Sequence, residues 1–336
     1  MRIGWRPVQV ALALAGAAPL TVAGQPTVRV AGTVRRTLDA GPVPVPAVRV
    51  VLHRVGRATQ GPIDSTITGP EGRFRFVFPV DTTANFLLSA HYAGIEYFSN
   101  PVVTNPARPD TAVEVLVSDT SASAPVAVRT RTFVVSAPDA TGLRSGLDWI
   151  VLRNSGPNTR VAADSLAPTW GVGLPVGARN PRVGDPRLSQ FSPEAVEFRG
   201  DSVYLTAPIS PGEKELLLQY ELPAKQHRFE VSLLGTDSVE AYLEETGITA
   251  PRAGWAVSDS QAFEGRRFRR LIRTDHAIGQ LDLRFPGLGL DPDKALVWMV
   301  GGFGLALALV GWQLHRRRPR SPAASAAGLA RRPPGS

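Results

Sequence analysis

Along most of this chain apolar and polar residues alternate one by one, the period of a strand with one face in a core and the other in water. Val28, Val30, Gly32 and Val34 are separated by polar or small residues, and Val48, Val50 and Leu52 repeat the pattern after a proline-rich turn over residues 41–46. Thr66, Ile67 and Thr68 lead into Gly69-Pro70-Glu71-Gly72, a tight turn, after which Phe74, Phe76 and Phe78 fall on one face. Phe86 to Tyr92 and Val113 to Val117 predict two more strands. About seven short strands in roughly 90 residues is the scale of an immunoglobulin-like sandwich.

A Ser/Ala/Thr segment, Ser118 to Pro125, then predicts a linker and a boundary. Alternation resumes at Arg129 to Val135. Leu147 to Leu152 predicts an apolar strand ending in the turn Asn154-Ser-Gly-Pro157. Trp170, Val172 and Leu174 precede a loop rich in Gly, Pro and Arg, from Pro175 to Ser192. Val196, Phe198, Val203 and Leu205 predict a hairpin about Arg199-Gly200-Asp201. Leu216, Leu218 and Tyr220 alternate after Pro211-Gly212, as do Phe229, Val231 and Leu233, and Leu281, Leu283 and Phe285 close the set. No long stretch has the 3.6-residue period of an amphipathic helix. The expected fold class is all-β: two consecutive immunoglobulin-like or regulatory-like β-sandwich domains, at 27–119 and 126–290, followed by one transmembrane helix.

Val30-x-Gly32-x-Val34, the proline turn, Val48-x-Val50-x-Leu52 and Thr66-x-Thr68-Gly-Pro-Glu-Gly72-x-Phe74-x-Phe76 together resemble a carboxypeptidase regulatory-like domain, over roughly a quarter of the chain. The resemblance implies a small accessory β-sandwich of exported proteins, without a catalytic role. The Asn-Ser-Gly turn, the Trp170 strand, Leu-Pro-x-Gly177-Ala and the Pro211-Gly-Glu strand resemble the remainder of bacterial membrane-anchored proteins that carry such a domain first. That resemblance implies no activity.

The ends of the chain break the alternation. Ala295 to Trp312 holds no charged residue and, as a helix, would measure roughly 27 Å, close to the hydrocarbon thickness of a bilayer. Trp298 and Trp312 stand near its ends, where amphipathic rings favour the lipid–water interface, and Arg316, Arg317 and Arg318 follow. These features predict a transmembrane helix at 295–314 and a disordered basic tail at 315–336. At the other end, Arg2 and Arg6 precede an apolar run from Val8 to Leu20 and small residues at 21–24, the pattern of a signal peptide (1–24) cleaved after Ala23 or Gly24.

Composition then changes one conclusion. The formal net charge is +8, which taken whole would suggest an acidic or nucleic-acid partner. Of the 37 Lys and Arg, two lie in the first 24 residues and six after residue 314; the remaining 29 equal the 29 Asp and Glu. The excess is an orientation signal, which by the positive-inside rule puts the tail in the cytoplasm and the β domains outside it. The expected location is the cytoplasmic membrane, single-pass, with periplasmic or extracytoplasmic domains; no nucleic-acid partner is expected. With no Cys in the chain, disulfides, thiol chemistry and Cys-ligated metals are excluded.

Candidate chemistry is sparse. The five histidines (His53, His91, His227, His276, His315) have no metal-ligand spacing, and no Gly-x-Ser-x-Gly elbow occurs. Glu213 and Glu215 would share a strand face and could serve acid/base work on a sugar, although they follow a turn, where charge is ordinary. Glu244 with Glu245 and Asp291 with Asp293 read as solvated surface, the latter offering too few oxygens for Ca²⁺. Gly302 with Ala306 and Gly304 with Ala308 could let two spans pack as a homo-oligomer. Arg266, Arg267, Arg269, Arg270 and Arg273 crowd about 20 residues before the span, where they could meet anionic headgroups or an acidic partner; the plainer alternative is a solvated strand with Phe268 and Ile272 turned inward. No catalytic residue, cofactor or metal is expected. The sequence thus predicts a non-enzymatic, membrane-anchored envelope protein binding a protein or glycan, with the 175–192 loop as a contact surface. The alternatives are a component of an envelope assembly or export system, and an enzyme acting on cell-wall carbohydrate through its carboxylates.

Overall fold

A computed structural model describes residues 26–286, apart from 58, 251, 252 and 264. The signal peptide, the apolar stretch with Trp298 and Trp312, and the tail with Arg316, Arg317 and Arg318 lie outside the described residues. Among the described residues no helix is long and apolar enough to cross a membrane.

The described residues are all-β, as the alternation predicts; the one helical element among them is a three-residue 3-10 turn at Pro193–Ala195. Eight strands surround a first core: β1 (Thr27–Arg36), β2 (Val43–Pro44), β3 (Arg49–Gly56), β4 (Gln60–Ile67), β5 (Arg73–Pro79), β6 (Ala84–Tyr92), β7 (Ile95–Phe98) and β8 (Asp110–Val117). In one sheet β1 takes β2 and β5 antiparallel and β8 parallel; the other has the order β4-β3-β6-β7. Val28, Val30, Val34, Phe74, Phe76 and Phe78 from the first sheet meet Val50, Leu52, Phe86, Leu88 and Ala90 from the second, all buried. This is sandwich-like packing.

Two sequence signals have visible causes here. A Cβ on Gly32 would overlap the Val113 carbonyl and the Phe74 ring, so glycine is what admits β8 beside β1. Thr68 is buried because its hydroxyl donates to Val45 O (2.9 Å) and accepts from Val48 N (2.9 Å), tying down the proline-rich turn. Gly72, at φ +69°, closes the turn into β5.

The second core is larger. Its strands are β9 (Thr120–Ser121), β10 (Val126–Val135), β11 (Leu143–Asn154), β12 (Thr159–Arg160), β13 (Trp170–Gly173), β14 (Arg179–Val183), β15 (Val196–Arg199), β16 (Ser202–Leu205), β17 (Gly212–Pro223), β18 (Arg228–Ser232), β19 (Thr236–Leu243), β20 (Trp255–Phe263), β21 (Arg266–Arg273) and β22 (Gln280–Arg284). A seven-stranded sheet, β14-β17-β11-β10-β19-β21-β20, contributes Phe133, Ile150, Leu216, Leu218, Val239 and Leu271 to this core. The sheets β13-β16-β15 and β18-β22 contribute Val203, Leu205, Phe229, Val231, Leu281 and Leu283.

Several expectations change. The stretch Leu147 to Leu152 does not face inward as a block: Arg144, Gly146, Asp148, Ile150 and Leu152 are buried, while Leu147, Trp149 and Val151 are half-buried on the other face. The loop 175–192 contains a strand, β14, paired with β17 across a register shift. The segment 118–125 is fastened to the second core: β9 pairs parallel with β12, and Ala124 O accepts from Arg160 Nη1 (3.1 Å). On β21 it is Leu271, not Ile272, that joins the core; Phe268 is buried on the opposite face, under Phe263 and beside Arg266.

Candidate functional site

Among the described residues β7 is bonded only to β6 and β8 only to β1, so each closes its sheet with a free edge. The two edges stand at the junction with the second core and bound a groove of about 920 Å³, whose far wall is Pro208, Ser210, Pro211, Gly212 and Lys214. Phe98 (58% exposed) and Leu116 (45% exposed) give the groove apolar area unusual for an edge strand, and Glu96, Asp110 and Glu114 rim it. Lys214 makes no ion pair with another described residue, and burial pulls its ammonium below the ordinary lysine range. Val117 O accepts from Thr37 N (2.9 Å), so alternate residues Ala112, Glu114 and Leu116 aim their backbone groups away from β1.

The groove has fixed walls because the junction is bonded at its base. Tyr97 donates its hydroxyl proton to Ser118 O (2.7 Å), which makes Thr159 Oγ1, at 2.8 Å, a donor to Tyr97. Tyr97 and Thr159 are buried, and burial raises the Tyr97 phenol above its usual range. Thr159 N bonds to Asp119 O (2.8 Å), and Tyr92 bonds to Asp119 (2.9 Å). Asn154 Nδ2 donates to Asn158 O (2.8 Å) and Ile209 O (2.9 Å), holding the chain that leads into the far wall. Sequence reasoning missed Tyr97, Thr159 and Lys214. Tyr97 alone had a signal, the alternation of Ile95-Glu96-Tyr97-Phe98 with its aromatic inward.

No family model matches this chain, and no curated protein does.

The five arginines before the end of the described chain divide by strand parity. Arg266 and Arg270 lie on the outer face of β21 and bind Glu244 (Nε to Oε1, 2.7 Å) and Glu240 (2.7 Å). Those arginines hold both carboxyls below the ordinary glutamate range. Arg269 and Arg273 point the other way and donate to backbone, Arg269 to Ile248 O and Arg273 to Thr236 O and Asp237 O (2.7 Å). Arg267 is exposed. The cluster is therefore mostly woven into the sheet.

Glu213 and Glu215 both lie on β17. Glu213 Oε1 is held by Arg129 (2.6 Å) and Arg153 (2.9 Å) in an exposed network across three strands. Glu245 binds buried Arg144 (2.8 Å). Among the described residues no three His, Asp or Glu gather as metal ligands. His53 Nε2 meets Ser89 Oγ at 2.7 Å, but Ser89 is completely buried, so no acyl group can reach that oxygen.

The most unusual polar group lies in the second core. Arg131 and Asp148, both without solvent exposure, meet at 2.6 Å. Arg131 also donates to Gly173 O (2.8 Å) on β13 of the three-stranded sheet, and to Ser232 O (3.0 Å) on β18. One guanidinium thus ties three sheets together. Burial pushes the Asp148 carboxyl upward against the pull of Arg131, and it drives the phenol of neighbouring Tyr220 well above its usual range. The Tyr220 ring lies over Gly146, where any Cβ would collide with it. None of these groups opens on the groove, so their role is architectural.

Proposed function

We propose that this chain is a non-enzymatic, single-pass envelope protein that binds a partner protein in the groove between its two β cores. In this reading residues 27–119 and 126–290 are two domains held outside the cytoplasmic membrane by a helix at 295–314, with the tail 315–336 inside. The assignment of 27–119 as a carboxypeptidase regulatory-like domain rests on its motif. One observation carries the binding role: two free strand edges with exposed Phe98 and Leu116 face a bonded, fixed wall. An edge with unpaired backbone groups and apolar side chains suits an extended polypeptide, which would add a strand and seat alternate side chains.

The test is photo-crosslinking in native membranes from single positions. A benzophenone side chain at Phe98 or Leu116 should give the same discrete adduct, and one at Val77, an equally exposed position on β5, should give none. Identical adducts from all three positions, or none from Phe98 and Leu116, would refute the groove as the binding site.

A further inference from the structure

We propose that the end of the second core nearest the exit of the chain is a docking face for anionic lipid headgroups, and that it seats the exported part on the bilayer. The inference rests on the membrane-anchored reading above. Strand directions define that end. β10 and β19 run parallel and finish there, at Val135 and Leu243. β11 starts there, with Leu143 opposite Pro223, and β21, antiparallel to β19, starts there at Arg266. Phe285 N bonds to His227 O (2.9 Å) and the Arg144 guanidinium stacks over the Phe285 ring at 4.1 Å, so the described chain leaves from this same end. Pro286 precedes Ala295 by nine residues, a reach of at most about 30 Å when fully extended.

The charges at this end are unevenly committed. Among the described residues, the acids here are engaged: Glu244 by Arg266, Glu245 by Arg144, Glu221 by Asn180, Glu230 and Asp282 by Arg228, and Asp139 by the backbone and hydroxyl of its own turn. The cations Arg179, Lys225, Arg267 and Arg284 are exposed and make no ion pair with another described residue. Exposed Val176 (55%) and Phe263 (48%) stand among them. Outward-facing cations with isolated apolar side chains fit an anionic interface, whose negative surface potential attracts each of them. The other end of the core shows a different character: Leu234, Ala277 and Ile278 surround Asp275.

The chain has no cysteine, so single probes can be placed without background. The full chain would be reconstituted in phosphatidylcholine vesicles with or without about a third phosphatidylglycerol, carrying a headgroup-linked quencher. A fluorophore at Val176→Cys should be quenched about threefold more in the anionic vesicles, and the difference should vanish in high salt. A fluorophore at Leu234→Cys, on the far end, should be unaffected by lipid charge. The variant Arg179→Ser/Lys225→Ser/Arg267→Ser/Arg284→Ser should lose the effect while keeping the wild-type circular dichroism spectrum. Equal quenching in both vesicles, or an undiminished effect in that variant, overturns the docking face. Flotation separates the two readings: a chain that floats without selective quenching refutes only the docking face. A chain that does not float refutes the anchor, and the docking face with it.

Discussion

Removing one partner of the Arg131–Asp148 pair should cost more than any surface change, and the two removals should differ in their response to pH. Both side chains are fully buried, and the guanidinium makes five hydrogen bonds: three to Asp148 and one each to Gly173 O and Ser232 O. Asp148→Asn leaves a buried cation without its counter-charge, a loss of about 3–5 kcal/mol. With an m-value of about 2 kcal/mol/M, the urea midpoint of the second core should fall by roughly 1.5–2.5 M. Arg131→Met leaves a buried carboxylate, but a carboxylate can take up a proton and a guanidinium cannot give one up. In that variant the folded-state affinity of Asp148 for a proton exceeds the unfolded one. Stability should therefore rise as pH falls, by at most about 1.4 kcal/mol per pH unit, until the unfolded chain also protonates near 3.8. Asp148→Asn should show no such recovery. The assay is urea unfolding of the chain in neutral detergent, followed by tryptophan fluorescence. Trp149, Trp170 and Trp255 lie on strands of the second group, and residues 26–117 contain no tryptophan. A midpoint shift below about 0.5 M for Asp148→Asn, or equal pH responses of the two variants, would refute the reasoning.

Three further outcomes follow from the geometry. Gly32→Ala should destabilise the first core by several kcal/mol, about the cost of overpacking at a backbone contact, seen as a lower unfolding midpoint by tyrosine fluorescence. Tyr97→Phe removes the hydroxyl shared by Ser118 and Thr159, at a cost of about 1–3 kcal/mol, and should open residues 118–125 to limited proteolysis at rates the wild type does not show. Asp81 is held down to about 2 from an ordinary 3.8, first by the Thr83 hydroxyl and amide and then by Arg54. Its depressed value means a contribution fully present above about pH 4 and lost as pH falls towards 2, so Asp81→Asn should be less stable than wild type at pH 6 and equal to it at pH 2.

The first core was legible because its inward residues are large and regularly spaced. Phe74, Phe76 and Phe78 could face only one way, and the glycine and threonine of the turn before them proved to be the residues that hold it. β20 was not legible, since as the edge of the seven-stranded sheet it buries almost nothing and shows no alternation. β11 misled for the opposite reason. Apolar Leu147 and Val151 lie on its outer face, while Arg144 and Asp148 face inward beside Ile150 and Leu152, their counter-charges supplied by Glu245, 101 residues away, and by Arg131 on the neighbouring strand β10. Local pattern cannot report a charge whose counter-charge is supplied by folding. The arginine strand shows the same limit: a run of like charge hid two opposite faces, one ion-paired and one bonded to backbone. The groove was invisible because it arises only when β7, β8 and residues 208–214 are brought together.

The parallel pairs β1–β8 and β10–β19 have a consequence for how the chain acquires its fold. β1 and β10 each keep one side open until a strand about 80 to 110 residues later arrives, a high contact order that makes closure slow. A chain that emerges N-terminus first would expose β10 for the whole time that residues 136–235 take to appear, with Phe133 and Val135 uncovered. Folding of the second core is thus timed by the arrival of residues 236–243 and not by its early hairpin. A chain stopped before Thr236 should be captured by chaperones, even though β10 and β11 are already complete.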